Sequence, residues 1–204
     1  MTSPRPHDLL RLADPLAVLT GDEPAWMRPA VVTAVPWVVV RRAAAREGRV
    51  AVGVRGRART QRHALDLPLD TIADVVRPED LRPRPGAART PAMLALRTVG
   101  PALDALGPPW GPTGSAGFEL ATGAATTTRA SDLDLVIRMP TVPSRDCAAE
   151  ILERLSSHPA RVDCQLETSR GAVALAELAS TSEQIVFRTL SGPEVVARAV
   201  AQPS

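Results

Sequence analysis

The sequence is poor in several residue types that would support particular functions. Its 204 residues include no lysine and no tyrosine, and only two phenylalanines, three tryptophans and two cysteines. Cys147 and Cys164 do not have the spacing of metal-ligating cysteines, so we expect both to be buried thiols in a reduced compartment. No apolar run is long enough to span a bilayer, and the first residues lack the apolar segment of a signal peptide. We therefore expect a cytoplasmic protein without a membrane partner.

Charge and aromatic content argue against nucleic acid as a ligand. The 24 basic residues are all arginines and nearly balance the 22 acidic residues, which gives a formal net charge of +2. A general nucleic-acid binder is more basic than this and stacks bases on aromatic side chains. We expect no nucleic-acid partner. An arginine-only set of cations still suits phosphate groups, because the planar guanidinium matches them with two parallel hydrogen bonds.

The most informative segment is Ser131-Asp132-Leu133-Asp134-Leu135-Val136-Ile137. Its β-branched end predicts a strand, in which Asp132 and Asp134 project from one face while the two leucines enter a core. Two neighbouring carboxylates repel each other unless a cation lies between them, and hard oxygen ligands suit Mg²⁺. We predict a magnesium site here. The alternative is a pair of solvated residues at a strand end, or a helix cap.

Gly114-Ser115 lies upstream of this strand and offers backbone N–H groups and a hydroxyl to a phosphate. The order of a Gly-Ser loop, a helical segment, the paired aspartates, a helix and a second acidic strand predicts metal-assisted phosphoryl or nucleotidyl transfer. This order resembles the polymerase-beta-like nucleotidyltransferase fold, although the gap of residues 116–131 is longer than is usual there.

A second acidic strand is predicted over Val162–Thr168. Asp163 is the candidate third acid of the site, and Gln165 and Glu167 share its face and are predicted to approach the substrate. The alternative is the solvated face of an edge strand.

An arginine cluster occupies Gly53–Arg62. Arg55, Arg59 and Arg62 would reach a polyphosphate if two domains faced each other across a cleft. A plain solvated basic loop is the alternative.

The fold class predicted is α+β, with two domains. Residues 77–91 are crowded with proline, glycine and charge, which favours a boundary between a small N-terminal α/β domain (1–85) and a nucleotidyltransferase-like catalytic domain (86–204) with a mixed sheet and flanking helices. We also predict a helical turn beginning over Thr71–Val76, a terminal helix opened by Gly192-Pro193, and a helix cap at Asp8.

Over nearly its whole length the chain resembles the malonate decarboxylase holo-[acyl-carrier-protein] synthases, a family of phosphoribosyl-dephospho-CoA transferases. The segments that carry the resemblance are Pro6-His7-Asp8-Leu9-Leu10, Pro36–Arg42, Ala51–Gly56 with Arg59, Gln61 and Arg62, Gly114-Ser115, Ser131–Leu135, and Val162–Thr168. The long gap before the paired aspartates is typical of this family. The chain departs from it at Phe118 and Leu178, where tryptophan is common.

The resemblance implies a reaction and its partners. A triphosphoribosyl-dephospho-CoA donor would be attacked at its α-phosphate by a serine of the acyl-carrier subunit of malonate decarboxylase, with release of pyrophosphate. Asp132, Asp134 and Asp163 would hold Mg²⁺, Ser115 would hold phosphates, and the arginine cluster would bind the donor or an acidic carrier. The alternatives are a magnesium-dependent nucleotidyltransferase with another donor or acceptor, such as the carrier of citrate lyase, and an inactive binding subunit, against which the three acids argue.

Overall fold

The computed structural model describes residues 3–34, 36–56, 58, 60–83 and 89–202. These residues form two β-sheets with helices between and beside them, which confirms the α+β class. In this part of the chain, no helix has both the length and the apolar character needed to cross a membrane.

The first sheet has five antiparallel strands in the order β4-β3-β2-β1-β5. The strands are β1 (Leu9–Leu12), β2 (Trp37–Val40), β3 (Arg49–Arg55), β4 (Arg62–Pro68) and β5 (Ile72–Val76). Helix α1 (Met27–Pro29) continues into a π-helical turn (Ala30–Ala34), and three 3₁₀ turns span Pro15–Val18, Leu69–Thr71 and Pro78–Asp80. Alternate valines of β3 are buried in a core on one face of the sheet, so the other face of β3 is left for Arg49, Ala51, Gly53 and Arg55.

The second sheet has six strands in the order β11-β10-β9-β8-β7-β6. They are β6 (Trp110–Pro112), β7 (Leu133–Arg138), β8 (Val162–Glu167), β9 (Ala172–Ala174), β10 (Gln184–Thr189) and β11 (Gly192–Ala197). β7 and β8 are parallel, whereas the other neighbouring strands are antiparallel, so the sheet is mixed.

Five helices accompany this sheet: α2 (Pro91–Asp104), α3 (Gly114–Thr122), α4 (Arg145–Arg154), α5 (Leu175–Ala179) and α6 (Arg198–Ala201). α4 makes the crossover between β7 and β8, and the Ser144 side chain caps it by accepting from the amide of Cys147. One face of the sheet and the helices enclose the larger core, which includes Leu135, Ile137 and Leu166. The opposite face carries the polar residues of β7 and β8.

Two local predictions are wrong. Ile72–Val76 is strand β5, paired with β1, because its β-branched residues follow a 3₁₀ turn that ends at Thr71. Gly192–Ala197 is strand β11, which forms a hairpin with β10. Pro193 is tolerated because β11 is an edge strand, where a missing N–H breaks no ladder.

The domain boundary predicted at 85/86 lies outside the described residues, and the division into 1–85 and 86–204 stays a prediction. The first sheet ends at Val76, and the elements that build the second part begin with α2 at Pro91. Helices before residue 77 amount to short turns. Cys164 is buried as expected, whereas Cys147 is exposed on α4.

Candidate active site

Asp134 and Asp163 lie side by side on the second sheet. They are register partners in the parallel pair β7–β8, so both carboxylates project from the same face. Leu133 and Leu135 point to the opposite face and are fully buried, as the alternation predicted. Asp132 comes immediately before β7 and is exposed. The structure therefore brings Asp134 and Asp163 together, and it places the third predicted acid, Asp132, directly before β7.

Gly114 packs closely against the carboxylate of Asp134. It begins α3 with φ of +56°, and a Cβ added there would lie 2.0 Å from Oδ2 of Asp134. Any side chain at position 114 would displace this carboxylate, which explains why glycine is needed. The Thr113 amide also donates to the backbone oxygen of Asp134 at 2.8 Å. Gly114-Ser115, predicted as a loop, is the beginning of α3, and it is in direct contact with the acidic strand.

Ser115 joins this site to the first sheet. Nη2 of Arg55, at the end of β3, donates to the Ser115 hydroxyl at 2.9 Å. Arg62 is the register partner of Arg55 on β4, so it shares the same sheet face, and it is exposed. Arg59 lies outside the described residues.

Gln61 closes the turn between β3 and β4. Its backbone oxygen accepts from the Gly56 amide at 2.9 Å, and its side-chain oxygen accepts from the Ala58 amide at 3.0 Å. This glutamine therefore shapes the segment that carries the arginine cluster, a role that sequence reasoning did not assign to it.

Gln165 and Glu167 continue the polar face of β8 away from Asp163. Gln165 is half-buried beside Val136 of β7. Glu167 forms a bidentate ion pair with Arg42, two residues after the end of β2, with 2.6 Å between Oε1 and Nη1. Only 15% of the Glu167 side chain is exposed. In the structure its contact is with the segment that follows β2, and its assignment to substrate binding stays a prediction.

A buried ion network beside this pair was missed by sequence reasoning. Arg138, the last residue of β7, donates from Nη2 to Asp8 and from Nε to Glu79, each at 3.1 Å. Asp8 is 1% exposed, and burial raises the pKa of its carboxyl, against the lowering effect of a hydrogen bond from the Arg5 amide. Interpreting Asp8 as a helix cap is wrong, because it precedes strand β1 and serves this network. The one sequence signal was an arginine that directly follows the apolar run Leu135-Val136-Ile137.

His7 lies next to the same network. Burial and the charge of Arg42 lower the pKa of its imidazole to about 4, so His7 is neutral at physiological pH. Sequence reasoning assigned it no role.

Two family models together match most of the chain. The model described as "Phosphoribosyl-dephospho-CoA transferase MdcG N-terminal domain" matches residues 5–78, and the corresponding C-terminal domain model matches residues 80–199. The chain belongs to this family.

Curated relatives of the family are similar over nearly their whole length. Proteins named phosphoribosyl-dephospho-CoA transferase from Pseudomonas putida (strain W619) and Azotobacter vinelandii are each 44% identical; the aligned regions cover 97% and 95% of this chain and 95% and 92% of the relatives. One from Pseudomonas syringae pv. tomato is 46% identical over 94% of this chain and 90% of its own length. The chain is accordingly an enzyme, a transferase. No solved structure matches it significantly, so the polymerase-beta-like placement stays a prediction.

The acids of this family member suit a hard cation. All the donors at the site are oxygens, and Mg²⁺ is usually held by one or two carboxylates together with substrate phosphates. Among the described residues, no group of three or more His, Cys, Asp or Glu side chains could by itself hold a metal ion. Asp163 is also 2.8 Å from Nη2 of Arg161, in an exposed pair. The neighbouring pair Asp134 and Asp163 fits a site that the substrate would complete.

Proposed function

We propose that this transferase moves the phosphoribosyl-dephospho-CoA group from its triphosphate donor to a serine of the acyl-carrier subunit of malonate decarboxylase, releasing pyrophosphate. The observation that supports this most directly is the contact of Gly114 with the Asp134 carboxylate, because it joins the residues predicted to bind phosphate to an acidic strand. The family supports the transferred group, while the carrier and the leaving group are our proposal.

The donor's phosphates would bind where the two sheets meet. The first turn of α3 presents backbone N–H groups and the positive end of the helix dipole beside the Ser115 hydroxyl. Arg55 already lies 2.9 Å from that hydroxyl, so a phosphate bound by Ser115 would also be within reach of the guanidinium. We assign Arg62 and Arg59 to the outer phosphates or to the carrier, and Gln165 to the polar wall beyond Asp163.

The reaction is a displacement at the α-phosphorus. The carrier serine oxygen forms a new P–O bond, while the P–O bond to pyrophosphate breaks and its electron pair leaves with the pyrophosphate. The serine proton would pass to Asp163, whose side chain is 44% exposed, or to solvent. Mg²⁺, held by Asp134 and Asp163 with Asp132, would neutralise the charge on the phosphates. We also propose that the enzyme acts in the cytoplasm, as the sequence predicts.

The test is the intact mass of the apo carrier after incubation with the enzyme, Mg²⁺ and triphosphoribosyl-dephospho-CoA. We expect a mass increase equal to one phosphoribosyl-dephospho-CoA group, and none with an Asp132→Ala/Asp134→Ala double variant. Asp146→Ala is the matched control, because Asp146 is an exposed acid on α4.

Two results would contradict the proposal. An unmodified carrier, shown to be competent with a known synthase, would reject this acceptor, and the carrier of citrate lyase and other donors would be tested next. Full transfer by the double variant would reject the acidic site.

A further inference from the structure

Glu119 holds the loop that follows α3, residues 123–131, against that helix. It lies on α3 one turn after Ser115, and its Oε2 accepts from the Thr126 amide at 2.9 Å, the Thr127 amide at 2.8 Å and the Thr127 hydroxyl at 2.8 Å. Two successive backbone N–H groups on one carboxylate oxygen form an anchor that fixes the backbone of residues 126–127.

The anchored loop returns to Ser115. The Thr126 hydroxyl donates to the Ser115 carbonyl oxygen at 2.8 Å. Since Arg55 donates to the Ser115 hydroxyl, Ser115 is restrained at its backbone by the loop and at its side chain by the first sheet. The loop is also tied to α2, because the Thr90 hydroxyl donates to the Thr127 hydroxyl at 3.0 Å.

The same loop leads directly into the acidic strand. After Thr127, the Thr128 amide donates to the Ser131 hydroxyl at 2.9 Å, and Asp132 follows. The segment between the end of α3 and Asp132 therefore connects both halves of the site, and Glu119 holds it to α3 through three hydrogen bonds.

We propose that Glu119 is a positioning residue for the donor's phosphates: through Thr126 and Thr127 it fixes Ser115 beside Asp134. Glu119 does not touch the substrate. The inference rests on the proposed function, and it adds a residue to which neither the sequence motifs nor the family names assign a role.

The test compares Glu119→Ala with Glu150→Ala, a control at an exposed acid of α4. We expect Glu119→Ala to raise KM for the donor about tenfold, the size expected for losing one hydrogen-bonded restraint, and to leave KM for the carrier unchanged. Calorimetric binding of inorganic tripolyphosphate with Mg²⁺ should weaken by the same factor. A general loss of structure would instead change both KM values together.

A second pair of variants covers the case in which Glu119→Ala does not fold. Thr126→Val removes only the hydroxyl that contacts Ser115 and should also weaken tripolyphosphate binding, whereas Thr126→Ser keeps the hydroxyl and should restore it. Unchanged tripolyphosphate affinity in Thr126→Val and in folded Glu119→Ala would overturn the inference, and so would a wild-type enzyme that does not bind tripolyphosphate. Failure of the proposed function would appear separately, as a wild-type enzyme that binds tripolyphosphate but leaves the carrier unmodified.

Discussion

The two ends of the β7–β8 pair use charged residues for different purposes. At the beginning of the pair, Asp134 and Asp163 are partly exposed on the sheet face that meets α3. At the end, Arg138 and Glu167 are register partners on the same face, and both are largely buried in ion pairs with Asp8 and Arg42, which lie just outside strands β1 and β2. One end is accessible to a substrate, and the other is closed by the protein itself.

The ion pairs at the closed end, formed by Arg138 and Glu167, help to position the residues around the open end, at Asp134 and Asp163. Buried ion pairs lose much of their Coulombic gain to desolvation, so they are weak sources of stability but exacting about geometry. Arg138 and Glu167 together contact Asp8, Arg42 and Glu79, and these contacts fix how the first part of the chain lies on the second sheet. That placement is what allows Arg55 to reach Ser115. Charge on a strand face is therefore not a sufficient sign of an active site, and burial together with the partner decides its role.

The largest expected effect is at the closed end. Arg138→Ala would leave Asp8 buried without its guanidinium, and breaking such a pair typically lowers the free energy of unfolding by about 3–5 kcal/mol. Arg145→Ala is the control: its ion pair with Asp146 is exposed, so the loss should be about 0–1 kcal/mol. Denaturant unfolding measures both variants. Equal losses would mean that the network contributes no more than a surface pair.

The next effect is at the open end and tests the contact between Gly114 and Asp134. Gly114→Ala introduces a Cβ 2.0 Å from the carboxylate oxygen, and a shift of this kind in a reacting group costs on the order of 10²-fold in kcat. Gly123→Ala is a matched control at the other end of α3, because its φ is also positive, +77°, and a Cβ there meets nothing within 4 Å. Both variants carry the backbone strain of a left-handed alanine. Similar kcat values for the two would show that Asp134 does not need this position.

The sequence predicts those parts of the fold whose pattern is local. The strand predicted in the segment 131–137 is confirmed as β7, because alternating leucines define a strand over its own length. The adjacency of Asp134 and Asp163 also follows from two such strands joined by a helix. β5 and β11 were missed because a 3₁₀ turn in one case and a Gly-Pro pair in the other resemble the start of a helix.

What the sequence does not reveal depends on distant partners. Glu167 and Asp163 occupy equivalent positions in the alternation of β8, yet one pairs with Arg42 across 125 positions of the chain while the other stays partly exposed. Asp8 before a pair of leucines fits a helix cap locally, and only the folded chain brings it to Arg138. Glu119 likewise has no signal, since a glutamate on an amphipathic helix is ordinarily a solvated residue.

The smallest expected effect is a pH dependence of the free energy of unfolding, caused by His7 at the closed end. Burial and the charge of Arg42 lower the pKa of His7 to about 4 from its ordinary 6.5, so below pH 6.5 the unfolded chain binds a proton that the folded protein does not. Stability from this group is complete above pH 6.5 and is lost as the pH falls toward 4. Between pH 7 and pH 6 the linkage amounts to about 0.7 kcal/mol of unfolding free energy. His7→Asn should remove that difference, and the measurement is denaturant unfolding of both proteins at the two pH values. An unchanged slope in His7→Asn would mean that groups other than His7 account for this pH dependence. Asp8 cannot be that group, because a raised pKa in the folded protein makes stability fall as the pH rises.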